Sequence, residues 1–187
     1  ELSKPVFTSG YAPNYNDPFI LMLNLKTNKN HKCLNRIQEV LYKYFKNKLL
    51  PSKYSYQSRT MADAPMRDLM GKLVILTSQG YENSNLEELI NGSWNTEYLK
   101  QISYKSLDSE TSRSEAIKMN IDDVRTFNNN GLTLVLPEEE TFFTYNYDPS
   151  PFFTSGCQFI FMNYQLNNLY MEPYITKFKN SSFVEKS

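Results

Sequence analysis

The sequence predicts an α/β fold with a parallel sheet, and two observations carry this prediction. Several short runs are apolar almost throughout, as expected of strands that are covered on both faces. Segments with helical spacing of apolar residues alternate with these runs, which favours parallel β/α connections. A chain of 187 residues is long enough for one domain with a substantial core, and we expect a single domain over 1–187.

The first half of the chain supplies three predicted strands and one long helix. The strands are predicted at 5–9, 19–25 and 72–77, where the last two read "FILMLNL" and "KLVILT". Six apolar side chains recur at helical spacing between them, namely Leu34, Ile37, Val40, Leu41, Tyr44 and Phe45. Asn30 or Asn35 is the candidate N-cap of this helix, and Asp63 is the candidate cap of a short helix that ends at Gly71. We expect the long helix to pack on the core; the alternative is a basic helix that binds a membrane surface.

The second half continues the alternation. We expect a helix or turn at 86–94, a strand at 101–106 and a strand at 132–136. A short helix is predicted from Asn120 or Asp122 to Phe127, where the Asn-Asn-Asn-Gly sequence at 128–131 stops it. A long loop at 138–152 precedes the last predicted strand, at 158–163.

Composition excludes several classes of protein. The chain carries 20 basic and 20 acidic side chains, so no overall basic excess argues for a nucleic-acid partner. The sequence has no run of eighteen apolar residues, so we predict no transmembrane segment. Cys33 and Cys157 form no C-x-x-C pair, which argues against a zinc site. We expect both to be reduced, part-buried thiols in a reducing compartment.

Charged and aromatic clusters give only weak indications of chemistry. His31 is the single histidine and cannot by itself supply both an acid and a base. The carboxylates at 138–140, and those of Glu82, Glu87 and Glu88, are interpreted as solvated surface charge. The aromatic segment at 142–153 either exposes its rings to a partner protein or folds onto the domain.

Three segments resemble the phosphoinositide-specific phospholipase C family, in particular divergent phospholipase C-like proteins of large DNA viruses. They are "APMRDLMGKLVIL" at 64–76, "GLTLVLP" at 131–137 and "SGCQFIFMNYQ" at 155–165. The resemblance implies a (β/α)8 TIM barrel that is incomplete in this chain, its first strands being missing or supplied elsewhere. Residues 1–60 would end the X region and 61–187 would form the Y region. Gly156, Cys157 and Gln158 match the family's eighth-strand signature, which is architectural.

The resemblance also implies which positions would carry the chemistry. The family cleaves a phosphodiester with two histidines as acid and base, and with one Ca2+ held by carboxylates and an asparagine. Ser9 stands where the second histidine is expected, and Asn24 where a calcium-binding glutamate is expected. Asn24 offers a carbonyl oxygen but no charge, so it is at most a residual metal ligand.

The family's substrate-binding positions carry uncharged side chains as well. Leu76 and Ser78 replace phosphate-holding lysines, and Leu134 and Leu136 replace an arginine and a tyrosine. Together these replacements predict a catalytically degenerate protein, not an enzyme, with a structural or interaction role. The viral resemblance implies a virion- or capsid-associated component located in the virion or the host cytoplasm. We expect no cofactor, and we expect other protein chains, such as capsid proteins, to supply or cover the missing strands.

Two alternatives remain open at this point. The first is an active Ca2+-dependent phosphoinositide phosphodiesterase that is completed by an upstream segment or a partner chain. The second is a phosphoinositide-binding module that has kept a headgroup pocket and lost turnover. Fold resemblance alone does not decide between these activities, because one fold hosts many functions.

Overall fold

The computed structural model of the chain describes residues 7–8, 14–58, 64–94, 99–104, 121–137, 146–181 and 183–185. It divides the chain into two compact units, Glu1–Thr96 and Glu97–Ser187. We call them unit 1 and unit 2 and describe each by itself. Their boundary differs from the X/Y boundary predicted after residue 60, and the single domain over 1–187 stays a prediction.

Unit 1 contains one parallel sheet, one long helix and several short helical turns. Its strands are β1 (Phe19–Leu23), β2 (Leu73–Thr77) and β3 (Gly92–Ser93). Its α-helices are α1 (His31–Phe45) and α2 (Met66–Leu69). Three 3-10 turns span Ser52–Tyr54, Tyr56–Ser58 and Asn85–Leu89. The strands predicted at 19–25 and 72–77 and the long helix are therefore confirmed, with small shifts of their ends.

The three strands of unit 1 are parallel and lie in the order β1-β2-β3. β1 pairs with β2 over its whole length, from Phe19 opposite Leu73 to Leu23 opposite Thr77. β3 pairs with the carboxyl end of β2. Every residue of β2 is buried, as expected of a strand covered on both faces, whereas β1 is half-buried throughout. The parallel arrangement predicted from the apolar runs is confirmed in this unit.

Helix α1 packs on the sheet of unit 1 through its apolar stripe. The Asn30 side chain accepts a hydrogen bond from the backbone N–H of Cys33 at 3.3 Å, which confirms Asn30 as the N-cap. Leu34, Leu41 and Phe45 are buried in one cluster with the β2 side chains that face the helix. The predicted core-packing role of α1 is therefore confirmed.

Two predictions in unit 1 are wrong in part. Phe7 and Thr8 form a turn and a bend and not a strand, and the rest of the range 5–9 lies outside the described residues. The Phe7 ring packs edge-on against Phe19 at 6.4 Å, so this apolar side chain contributes to packing without joining the ladder. At 86–94 the predicted helical turn is present, but the short strand β3 that follows it was not predicted. Asp63 lies outside the described residues.

In its described residues, unit 2 contains a second parallel sheet and three short helices. Its strands are β4 (Leu99–Tyr104), β5 (Leu132–Pro137) and β6 (Phe159–Ile160), in the order β4-β5-β6. Its helices are α3 (Ile121–Phe127), α4 (Ser150–Thr154) and α5 (Met171–Lys177). β4 and β5 pair along their full lengths in parallel register. The strands predicted at 101–106 and 132–136 and the helix ending at Phe127 are confirmed.

The core of unit 2 joins its sheet to its helices. The buried cluster contains Val135, Tyr147, Phe152, Cys157, Ile160, Met162 and Met171. Tyr147 satisfies its hydroxyl by donating to the Phe161 carbonyl at 2.7 Å. Gly131 is required where α3 meets β5, because a Cβ there would lie 2.5 Å from the ring of Phe127.

The second half departs from prediction at three places. Helix α4 begins within the predicted loop, because Pro149 and Pro151 suit the first turn of a helix. The last strand is two residues long, and beyond it Asn163 exchanges hydrogen bonds with Asn146 at 2.6 and 3.1 Å. Helix α5 was not predicted.

Two further observations concern the cysteines and the helices. Both cysteines are free; Cys157 is buried, whereas Cys33 is exposed, so the expected partial burial is wrong for Cys33. In the described part of the chain, no helix is both long and apolar enough to cross a bilayer.

Candidate functional site

The carboxyl ends of β1 and β2 meet at one edge of the unit 1 sheet, where two predicted site residues follow them. Leu21 and Leu23 pack on the α1 side. Because side chains alternate along a strand, Asn24 continues on the opposite face. Ser78 follows Thr77, and its backbone N–H donates to the Leu23 carbonyl at 3.0 Å. Asn24 and Ser78 therefore lie side by side beyond the ends of two paired strands.

The hydroxyl groups at this edge bind backbone atoms. Ser78 Oγ accepts a hydrogen bond from the Leu25 N–H at 2.8 Å. Thr77 Oγ1 donates to the Leu23 carbonyl at 3.1 Å and is fully buried. These bonds hold the two strand ends together, so the Ser78 and Thr77 hydroxyl groups serve the scaffold.

The apolar site positions lie on the sheet faces that point away from the helical cores. Leu76 is 2% exposed and alternates with Ile75, which packs against α1. In unit 2, Leu134 is also 2% exposed and alternates with Val135, which belongs to the buried cluster. Leu136 shares the face of Leu134 and is half-buried. These faces present leucine side chains, which offer a phosphate neither a positive charge nor a hydrogen-bond donor.

The residues around Asn24 do not fit a calcium ion. Calcium takes six to eight oxygen ligands, and protein sites supply several of them as carboxylates. Asn24 contributes one uncharged amide oxygen, and its neighbours on this face, Leu76 and Ser78, add no carboxylate. Across the described ranges, no group of three or more His, Cys, Asp or Glu side chains has the arrangement of a metal site.

Two of the remaining polar candidates, Ser9 and the carboxylates at 138–140, lie outside the described residues. A third, His31, is the exposed first residue of α1.

The Gly-Cys-Gln signature joins β6 to β5. Gly156 has φ 73°, a left-handed conformation that favours glycine, and it turns the chain out of α4. Gln158 Oε1 accepts a hydrogen bond from the Thr133 N–H at 2.7 Å, and its Nε2 donates to the Gly131 carbonyl at 3.2 Å. These two bonds tie Gln158 to the amino end of β5, in keeping with an architectural role.

A buried asparagine that sequence analysis treated only as a helix stop organises the same region. Asn128 Nδ2 donates to the Ser155 carbonyl at 2.9 Å, and its Oδ1 accepts from the Thr133 hydroxyl at 2.6 Å. Asn128 is 2% exposed, whereas Asn129 and Asn130 are exposed. The Asn-Asn-Asn repeat gives no signal that separates these three residues.

Glu87 is a half-buried charge on the surface of a 3-10 turn, and its hydrogen bonds were not predicted. Its carboxylate accepts hydrogen bonds from the Tyr56 hydroxyl, from Gln57 Nε2 at 3.1 Å and from the Asn83 N–H at 2.8 Å. The Tyr56 bond is the main cause that lowers the pKa of Glu87. Burial, followed by the same bond, raises the pKa of Tyr56 to about 12. The cluster ties the 3-10 turn at Tyr56–Ser58 to the segment after β2, which is a structural task.

The described part of the aromatic segment folds onto unit 2. Phe152 is 4% exposed and contacts Tyr147 edge-on at 5.5 Å. Phe153 stacks on Tyr174 at 6.2 Å and contacts Phe178 at 6.1 Å. The folded alternative is therefore correct for Phe152 and Phe153, and 142–145 lies outside the described residues.

Comparison with known proteins gives one family and one group of related folds. The family model for "Phosphatidylinositol-specific phospholipase C, Y domain" matches residues 76–187. The crystal structure of PLC21 from L. pealei matches with a TM-score of 0.59 and 15% identity, and that from S. officinalis with 0.58 and 16%. No curated protein matches.

These matches fix both the family and the extent of the likeness. Each crystal-structure match covers 83% of this chain but 24% of the other chain, so this chain spans about a quarter of the length of those phospholipases C. At 15–16% identity they show a shared fold and no more. The family model covers more than half of the chain, including the Gly-Cys-Gln signature. The chain therefore belongs to the phosphatidylinositol-specific phospholipase C family, through its Y domain.

Proposed function

We propose that this protein is a catalytically degenerate member of its family with a structural or interaction role. One observation carries the proposal: the described positions that the sequence resemblance aligns with the family's metal and substrate sites hold uncharged side chains. They are Asn24, Leu76, Ser78, Leu134 and Leu136. Phosphoryl transfer depends on charge stabilisation and proton transfer, which these groups do not provide.

The proposed partner is another segment or chain that completes an incomplete barrel. Two facts support this part of the proposal. β1 and β4 are end strands of their sheets within the described residues, and strand edges present unpaired backbone groups. β3 and β6 are the opposite end strands of the same two sheets within the described residues. The resemblance of its motifs to viral proteins supports a virion- or capsid-associated setting, in the virion or the host cytoplasm.

The test is calcium-dependent turnover by the full product of the gene. Phosphoinositide vesicles are incubated with the protein in calcium and in excess chelator, and soluble inositol phosphate is measured beside an active phospholipase C. We expect no release above the protein-free background in either condition. Release that chelator abolishes would replace the proposal with the active phosphodiesterase. Sedimentation with phosphoinositide vesicles, but not with other anionic vesicles and without turnover, would support the binding module instead.

A further inference from the structure

The outward face of α1 and the loop before it form a strongly basic surface. Between residues 26 and 46 the chain carries six basic side chains and one acidic side chain, Glu39, and all seven are exposed. The basic ones are Lys26, Lys29, Lys32, Arg36, Lys43 and Lys46. We call these six residues the basic surface. Because the whole chain has equal numbers of basic and acidic side chains, this excess is local.

The spacing on the helix explains why the charges share one face. Lys32, Arg36, Glu39 and Lys43 follow one another at intervals of four, three and four residues, which aligns them along one side of a helix. The buried stripe of Leu34, Leu41 and Phe45 lies on the other side and fixes α1 on its sheet. Helix α1 therefore exposes the basic surface to solvent while its apolar face is buried against the sheet.

Exposed apolar side chains border the charges. Val40, Tyr42 and Tyr44 are 41%, 45% and 51% exposed. Lys43 Nζ lies 5.3 Å from the centre of the Tyr44 ring, and Lys46 Nζ lies 5.5 Å from that of Tyr42. Lysines with apolar stems beside amphipathic tyrosine rings are the combination found at membrane–water interfaces.

We propose that the basic surface docks the protein on an anionic lipid bilayer. A cluster of four to eight lysines and arginines on a helix is attracted to the negative surface of such a membrane. Lysine and arginine also contact the phosphates of nucleic acid, so nucleic acid is the competing polyanion in the test. The exposed Tyr42 and Tyr44 beside the charges favour the bilayer, because tyrosine is enriched at membrane–water interfaces.

The test uses the full chain and vesicles of phosphatidylcholine with or without phosphatidylserine. We expect co-sedimentation with the phosphatidylserine vesicles alone, and a loss of binding as salt is raised through the physiological range. The double variant Lys32→Gln/Lys43→Gln is expected to weaken partitioning roughly 25-fold, at about fivefold per lysine. The matched control Lys177→Gln/Lys179→Gln removes two lysines from the C-terminal part of unit 2 and is expected to change partitioning less than about twofold.

Three results would overturn the proposal. They are equal binding to neutral vesicles, no binding to phosphatidylserine vesicles at low salt, and equal losses in the two double variants. Duplex DNA and poly-glutamate are included as competing polyanions. Lysine-dependent binding to either of these without binding to vesicles would also overturn it. Circular dichroism of both variants confirms that the fold is retained. The outcome is independent of the proposed loss of catalysis, because phosphatidylserine is not a phosphoinositide.

Discussion

Replacing Leu34 by alanine is expected to lower the free energy of unfolding by about 2–5 kcal/mol. Leu34 is fully buried in the cluster that joins α1 to β2, where Leu73 and Ile75 are also fully buried. Its truncation loses apolar burial and leaves a cavity that two fixed elements cannot close. Urea denaturation followed by circular dichroism measures the change.

The control for this prediction is an equal truncation at an exposed site. Leu169 is 70% exposed, and Leu169→Ala is expected to change the free energy of unfolding by less than about 0.5 kcal/mol. Similar losses in the two variants would mean that the α1–β2 cluster is not the core of unit 1.

Replacing Asn128 by alanine is expected to destabilise the protein by about 2–4 kcal/mol. The substitution removes the donor to the Ser155 carbonyl and the acceptor for the Thr133 hydroxyl. Ser155 and Thr133 are themselves buried, so water does not replace the lost partner. The midpoint of urea denaturation reports the loss.

The adjacent asparagine provides a control of identical chemistry. Asn129 is exposed, and Asn129→Ala is expected to stay within about 0.5 kcal/mol of the unchanged protein. If Asn128→Ala is equally mild, the hydrogen bonds of Asn128 do not organise the junction of α3, β5 and the Gly-Cys-Gln signature.

The sequence predicts the parallel strands well because their signal is local. The runs at β1, β2 and β5 combine apolar side chains with strand length. In the structure β1 pairs with β2, and β5 pairs with β4, both in parallel register. The Asn30 cap and the Phe127 helix end are equally local signals. Gln158 is a different case. The family resemblance implies its architectural role, whereas its neighbours in the chain give no signal for its bonds to β5.

The features that escaped prediction depend on residues distant in sequence. Glu87 looks like surface charge until Tyr56, 31 residues earlier, is placed beside it. Asn128 has the same side chain as Asn129 and Asn130. What distinguishes it is a hydrogen bond to Ser155, which lies 27 residues later in the chain. Asn146 likewise holds the segment after β6 by binding Asn163, 17 residues later. No periodicity in the chain encodes such contacts.

Isothermal titration calorimetry of the full protein with calcium is the most direct test of the proposal that the charged groups of a calcium site are absent from this scaffold. Uncharged groups around Asn24 predict no saturable heat at calcium concentrations up to about 1 mM, the weak end of protein calcium sites. A one-to-one binding isotherm that disappears in the Asn24→Ala variant would contradict the account, because it would show a working cation site where we infer a neutral one.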